Sequence, residues 1–268
     1  MKVMIFLCAW KRPEITKACY KGIHRIKKTF AKNGVEADVF VTVSEDYHAK
    51  LAEQNGFKWI MTDNFPVGQK HHNGLINALE HDWNYIMQMG SDDIISDKYI
   101  DECCKLLNKN YEIIGSNYYY FYNLVTGEDV KIKMKGPAPG GAGRFVKRDV
   151  IKLAFDQLGF FWQRQKNRGL DGSSLMAMYK SKARYNRRKH AIKKDLKIKT
   201  IDFKEPEIVD IKSEDSMNSY GAMILSSEDK KNSYNFEKEL SEGGFKTFGS
   251  GINLSYFEEL EELISLTK

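Results

Sequence analysis

The chain of 268 residues contains only four cysteines, Cys8, Cys19, Cys103 and Cys104, with no CxxC pair and no zinc-ligand spacing. That excludes a disulfide-stapled framework and a structural zinc site, and it predicts reduced thiols in a cytoplasmic protein. Long apolar runs are lacking too, since nothing approaches the roughly 18 to 20 apolar residues that span a bilayer. The apolar start, Met1 to Trp10, has no signal-peptide cleavage pattern and meets Lys11-Arg12-Pro13 at once, so it reads as a strand. No internal repeat, coiled-coil heptad or extended low-complexity segment occurs. With 42% hydrophobic and 29% charged residues, the chain suits a globular domain with a substantial core, alone or with an appendage.

Positive charge is concentrated in one place. Lys180 to Lys199 carries ten Lys and Arg against the single Asp195, a net +9, whereas the whole chain is +6, so the remainder is −3. Such a face attracts nucleic acid or an anionic membrane, while a solvated helix face followed by a basic loop explains it equally well.

The first 115 residues alternate short apolar runs with helical patterns, the rhythm of an α/β domain with a mainly parallel sheet flanked by helices. Strands are predicted at Val3–Ala9, Asp38–Val43, Lys58–Met61 and Tyr85–Met89, and helices at Glu14–Lys32, His48–Asn55, Gln69–His81 and Lys98–Asn108. Beyond them, Glu112–Leu124 and Asp129–Met134 read as an antiparallel hairpin, and Gly136–Gly143 as a Gly/Pro loop. Helices follow around Arg148–Phe155 and from Gly172 or Ser173 to His190, with a late strand at Glu207–Lys212. Leu225–Gly251 looks loop-like, and Leu254–Leu266 forms an amphipathic helix expected to pack back on the domain. The predicted organisation is a single domain over 1–215 made of two halves, 1–115 and 116–215, followed by an extension over 216–268.

The apolar run Trp83 to Met89 ends in Gly90-Ser91-Asp92-Asp93, two adjacent carboxylates where a strand meets water. Magnesium and manganese take hard oxygen ligands and keep open positions for phosphates, so the turn suits a divalent cation; ordinary turn chemistry is the alternative. In an open α/β sheet, ligands gather at the carboxyl ends of strands, where Trp10, Glu45-Asp46, Asn64 and Asp92-Asp93 all fall. His71 and His72 are poor co-ligands, since neighbours on a helix point about 100° apart.

Three segments in this order resemble the family 2 glycosyltransferases of the GT-A fold: Arg12-Pro13-Glu14 after strand one, Asn64 to Gly74 with its Asn73-Gly74, and the DSDD-like Gly90 to Asp93. The likeness covers roughly residues 1 to 175 and implies a nucleotide-sugar donor, expected to be a UDP-sugar, with Mn or Mg held by Asp92 and Asp93. Trp10 would face the base and Glu45 or Asp46 would accept its hydrogen bonds, although core packing and a solvated turn are the plain alternatives. Arg12 and Lys70 are candidates for the diphosphate, and Asn64, Asn73 and Ser91 complete the donor set; Asn73 could equally cap local backbone. The sequence departs from the family where Gly90 replaces the first Asp, and no later His ligand is found.

By position, Asp171 in Asn167 to Ser173 resembles the family's catalytic base, with an N-cap as the rival role. Family 2 members invert the anomeric centre, which implies one in-line displacement. Gly140-Gly141-Ala142-Gly143-Arg144 resembles the acceptor loop, an ordinary flexible turn being the other reading. The basic stretch follows Asp171 along the same helix, so Arg168, Lys182, Arg184, Arg187 and Arg188 are expected on the acceptor side. An anionic polymer is therefore the favoured acceptor. The chain resembles phage enzymes that glycosylate hydroxymethylated bases in DNA, which would place it in the host cytoplasm. Two other readings remain open: transfer to lipid-linked or surface polysaccharide precursors at an anionic membrane, and non-catalytic nucleic-acid binding on a degenerate fold.

Overall fold

In the computed structural model of the chain, residues 1–134, 138–167, 169–188, 196–213 and 245–267 are described, with backbone alone for 184–188 and 245–249. The first half alternates as predicted: β1 (Lys2–Ala9), α1 (Pro13–Lys32), β2 (Glu36–Val43), α2 (Asp46–Gln54), β3 (Lys58–Met61), α3 (Val67–Ala78) and β4 (Tyr85–Gly90). Then come β5 (Asp93–Ile95), α4 (Asp97–Leu107), β6 (Ile113–Ser116), β7 (Tyr118–Asn123), β8 (Asp129–Met134) and β9 (Phe145–Lys147). The remainder is α5 (Arg148–Leu158), α6 (Leu170–Arg188), β10 (Ile198–Ile201), β11 (Ile208–Lys212), β12 (Phe245–Gly249) and α7 (Glu258–Thr267).

The large sheet has the order β10-β6-β9-β4-β1-β2-β3. Among its described strands β9 runs against the rest, inserted antiparallel between β4 and β6. Alternation along β1 shows how the core is divided. Val3, Ile5, Leu7 and Ala9 pack with Tyr20, Ile23 and Phe30 of α1 and Ile100 of α4, whereas Met4 and Phe6 pack with Leu75 of α3, Ile151 of α5 and Met178 of α6. Burial on both faces is why the strand is apolar almost throughout.

Three expectations need correction. The first arm of the predicted hairpin is two strands: β6 lies in the large sheet, and after Asn117 the chain crosses as β7 into a smaller sheet ordered β12-β8-β7-β11-β5. A continuous β-rich run gives no compositional sign of that crossing. The strands β5, β9, β10 and β12 are absent from the sequence reading, being three to five residues long and dependent on pairing with distant partners. Leu225–Gly251 is not wholly loop, because Phe245–Gly249 pairs with β8; 225–244 lie outside the described residues.

Helix α7 packs on α1, β5 and β11. Phe257, Leu260 and Leu263 join Ile15 and Ala18 of α1, Ile94 of β5, and Val209 and Ile211 of β11. The Arg25 guanidinium donates to both oxygens of Glu259, at 2.7 and 3.1 Å, and to the Ile95 carbonyl at 2.9 Å.

Candidate active site

The strand order places β2 and β3 on one side of β1 and β4 on the other, so connections diverge between β1 and β4 and open a crevice at their carboxyl ends. Register puts the exits level: Ala9 pairs with Val43, Cys8 with Gly90, and Val43 with Met61. The segments beginning at Trp10, Ser44, Thr62 and Ser91 therefore share one edge.

Arg12 bridges the crevice, with its Nη1 donating to Asp92 Oδ2 at 2.5 Å. It is held there by a strained turn in which Lys11 and Arg12 both have a φ of 52°, uncommon for residues with a Cβ. Glu45 and His48 pin that turn: Glu45 Oε2 accepts from the Lys11 amide at 2.7 Å, and His48 Nε2 lies 2.9 Å from the Lys11 carbonyl. Beneath them Lys70 is buried, its Nζ donating to the Ala9 carbonyl at 2.7 Å and to Asn64 Oδ1 at 3.1 Å. Trp10 is half-buried against Phe65, edge to face with ring centroids 5.5 Å apart. Trp10, Arg12, Glu45, Asn64, Lys70 and Asp92 are thus brought together. Asp46 stands exposed at the start of α2. Asn73 is engaged locally, donating to Thr62 Oγ1 at 3.1 Å and accepting from Gln69 at 2.7 Å. Both histidines of α3 belong to the interior, and burial pushes His71 down to about 3 and His72 to about 4.

At the acidic turn the structure supplies a partner that sequence reasoning missed. β11 pairs antiparallel with β5 so that Asp210 lies opposite Asp93, and carboxylate oxygens of Asp92, Asp93 and Asp210 fall within 4.8 Å of one another. Lys212 Nζ sits 2.5 Å from Asp210 Oδ2. Burial pushes Asp92 up, but Arg12 and Lys212 outweigh it and hold the carboxyl below its ordinary value. Asp93 is driven well up by burial and then by Asp210 and Asp92, although the Gly90 amide donates to it at 2.5 Å. Asp210 rises to about 6, chiefly through burial, and its Oδ1 is buried without a hydrogen-bond partner among the described residues. The available signal was a lone Asp inside the apolar strand Ile208-Val209-Asp210-Ile211. Ser91 is also buried, its hydroxyl lacking a partner among the described residues.

These groups fit a divalent cation: three carboxylates offer hard oxygens, an orphaned oxygen points to an incomplete set, and the negative charge on Asp93 is poorly compensated.

The second centre forms where the glycine loop meets α6. Asp171 lies in the first turn of α6 with its carboxylate over Gly141, where a Cβ would come within 2.0 Å of Oδ1. Glycine at 141 is what lets the carboxylate sit there. Gly143 and Ala142 serve packing: Tyr99 donates to the Gly143 carbonyl at 2.7 Å, and Tyr119 to that of Ala142 at 3.3 Å. Burial raises the Tyr119 hydroxyl well above its ordinary value, and Asp171, Asp93 and Asp210 add to the rise, so all three carboxylates act on this one buried group.

The acceptor set is largely redistributed. Arg144 has no exposed surface and touches Gln88, Ser174 and the Pro139 carbonyl, so no acceptor reaches it directly. Lys182 is paired with Glu112, next to the amino end of β6. Since Gly140 bonds to Ser116 at the carboxyl end of that strand, α6 runs from the site edge of the sheet to its opposite edge. The eleven steps from Asp171 to Lys182 rise about 16 Å along the helix, so the basic segment begins away from Asp171 rather than beside it. Side chains of Arg184, Arg187 and Arg188, and Arg168 altogether, lie outside the described residues.

No protein-family model matches the sequence, and no curated protein matches it. Among solved structures, S. aureus TarS is 13% identical with a TM-score of 0.50, the match covering 98% of this chain and 43% of TarS. TarS 1–349 in complex with UDP is 12% identical with a TM-score of 0.47, covering 79% and 60%. A Desulfovibrio desulfuricans protein, described provisionally as a nucleotide-diphospho-sugar transferase, is 14% identical with a TM-score of 0.39, covering 99% and 97%. The chain spans 43% to 60% of the TarS chains it matches. Likeness at such low identity concerns architecture: the chain has a GT-A-like α/β fold with a mainly parallel sheet flanked by helices.

Proposed function

We propose that the protein is a metal-dependent, inverting glycosyltransferase that moves a sugar from a nucleotide-sugar donor to a hydroxyl acceptor. The observation that carries this reading is the cluster of Asp92, Asp93 and Asp210 at the crevice between β1 and β4, joined by Arg12. Fully ionised, three carboxylates against Arg12 and Lys212 leave one net negative charge, which favours a divalent cation; the resulting single positive charge then favours a diphosphate. Asp92, Asp93 and Asp210 would hold the cation, which when bound supplies charge stabilisation to the departing diphosphate. Arg12 assists from the β1 side. Trp10 and Glu45 flank the place a base would take, Glu45 with one oxygen already committed to the Lys11 amide.

Asp171 takes the acceptor hydroxyl proton on its carboxylate as the acceptor oxygen bonds to the anomeric carbon. The bond from that carbon to the diphosphate oxygen breaks on the opposite face, which inverts the centre. An exposed carboxylate held against a glycine loop supports this role.

The acceptor proposed is an anionic polymer, with hydroxymethylated DNA as the first to test. Its support is the charge of 180–199 together with the run of α6.

The test is nucleotide release from UDP-, GDP- and TDP-sugars with Mn2+ or EDTA, with and without hydroxymethylated duplex or anionic vesicles. UDP-sugars come first, since the family 2 likeness implies them. Metal-dependent release, stimulated by one acceptor and lost in Asp171→Asn with donor binding retained, is the predicted result. Absence of release from every donor under all these conditions would leave a binding protein on a sugar-transfer fold.

A further inference from the structure

We propose that Arg144 is a positioning residue for the transfer step, a buried strut that ties the donor strand β4 to the helix carrying Asp171. This inference rests on the reading of Asp171 as the base. A guanidinium without exposed surface loses its hydration and persists only where other groups replace the water. Here Nε and Nη2 both donate to Gln88 Oε1, at 3.0 and 2.7 Å, Nη2 donates to Ser174 Oγ at 2.7 Å, and Nη1 reaches the Pro139 carbonyl at 3.4 Å. The one opposite charge in reach among the described residues is Asp171, whose Oδ1 lies 3.9 Å from Nη2 and which is itself half exposed. Neutral partners thus carry most of the compensation, and burial lowers the affinity of Arg144 for its proton.

For stability alone, apolar residues of similar volume would do as well or better in such a place. The connectivity explains why the charge is kept. Gln88 lies in β4 two residues before Gly90, and its side-chain Nε2 has no partner among the described residues because the side-chain oxygen is turned toward Arg144. Ser174 Oγ accepts from Arg144 and donates onward to the Asp171 carbonyl at 2.9 Å. A single chain of hydrogen bonds therefore runs from the strand that ends at the acidic turn, through Arg144 and Ser174, to the backbone of the base, whose carboxylate lies in ion-pair range of Arg144 at 3.9 Å. The loop above closes the same arrangement: the Gly143 amide donates to the Gln88 carbonyl at 2.7 Å, and the Gln88 amide donates to the Arg144 carbonyl at 2.9 Å. With both ends fixed, the carboxylate keeps its place over Gly141 relative to the donor diphosphate. Small displacements of a reacting group carry large rate penalties.

Arg144→Gln and Arg144→Lys, with Asp171→Asn as reference, separate the possibilities. The readouts are UDP release from UDP-glucose and UDP-N-acetylglucosamine with Mn2+, and amide hydrogen exchange over residues 170–175. Arg144→Gln is expected to lower kcat by about 100-fold with donor KM within about twofold. Arg144→Lys, which keeps the charge but not the fork, should recover roughly a tenth of the wild-type rate. Amide exchange at the start of α6 should accelerate in Arg144→Gln while β4 stays protected. Wild-type kcat in the Arg144 variants alongside an inactive Asp171→Asn overturns this inference and leaves the base intact. Full activity in Asp171→Asn overturns the base. Unchanged exchange over 170–175 overturns the strut whether or not either sugar is turned over. Should Arg144→Gln fail to fold, Ser174→Ala, which removes the link to the Asp171 carbonyl, must show the same loss of kcat at constant KM.

Discussion

Lys70 illustrates what burial does to a charge. With only 1% of its surface exposed, its ammonium is pushed down to about 8, chiefly by burial and further by Arg12, against the pull of Cys8 and Glu45. The unfolded chain keeps this proton to about pH 10.4, so between pH 8 and 10 the unfolded state binds more protons and stability rises with pH. The unfolding free energy should therefore increase from pH 8 to pH 10 by about 2 kcal/mol more in the wild type than in Lys70→Met. Denaturant melts at the two pH values measure this. Cys8, raised to about 11 by burial, acts in the opposite sense in both proteins and cancels to first order. Parallel profiles would mean that Lys70 is solvated and already charged across this range.

Gly141 gives a second prediction at the same scale. A methyl group there would come within 2.0 Å of Asp171 Oδ1 and 2.4 Å of Oδ2, so Gly141→Ala must displace the carboxylate. Transfer should fall by about 100-fold while UDP affinity is unchanged. Parallel kinetics and calorimetry measure the two, and an active Gly141→Ala would place the reacting hydroxyl elsewhere.

Among the elements, the small sheet and the direction of α6 carry what the sequence does not make plain. The βα units of the first half were legible because both faces of β1 are buried and the helices keep an apolar stripe. Arg12, Asp92 and Asp93 were legible because they sit at strand ends. Asp210 was not, since only the pairing of β11 with β5, more than a hundred residues away in sequence, brings it beside Asp93. The direction of α6 was likewise hidden: helical periodicity predicts the helix, while the contact of Lys182 with Glu112 shows which edge of the sheet its basic end reaches. Helix α7 supports the acidic turn from outside, with Leu260 fully buried in the cluster that contains Ile94, the residue after Asp93. Leu260→Ala should cost about 2–5 kcal/mol by chemical denaturation. A cost below about 1 kcal/mol would show that the helix is only loosely docked.

For the whole molecule, two centres lie at one edge of the large sheet: the carboxylates of Asp92, Asp93 and Asp210 with Arg12, and Asp171 over a glycine loop. The sheet order creates the crevice, β9 and the glycine loop close it toward β6, and the second sheet completes the acidic cluster. The central claim is that this cluster holds a nucleoside diphosphate through a divalent cation. Calorimetric titration of UDP into the wild-type protein and into Asp210→Asn, each with Mn2+ and with EDTA, tests it most directly. The account predicts binding by the wild type with Mn2+, weakened at least tenfold, about 1.4 kcal/mol, by EDTA or by the substitution. Equal affinity under all four conditions, or no UDP binding with Mn2+ present, would contradict it.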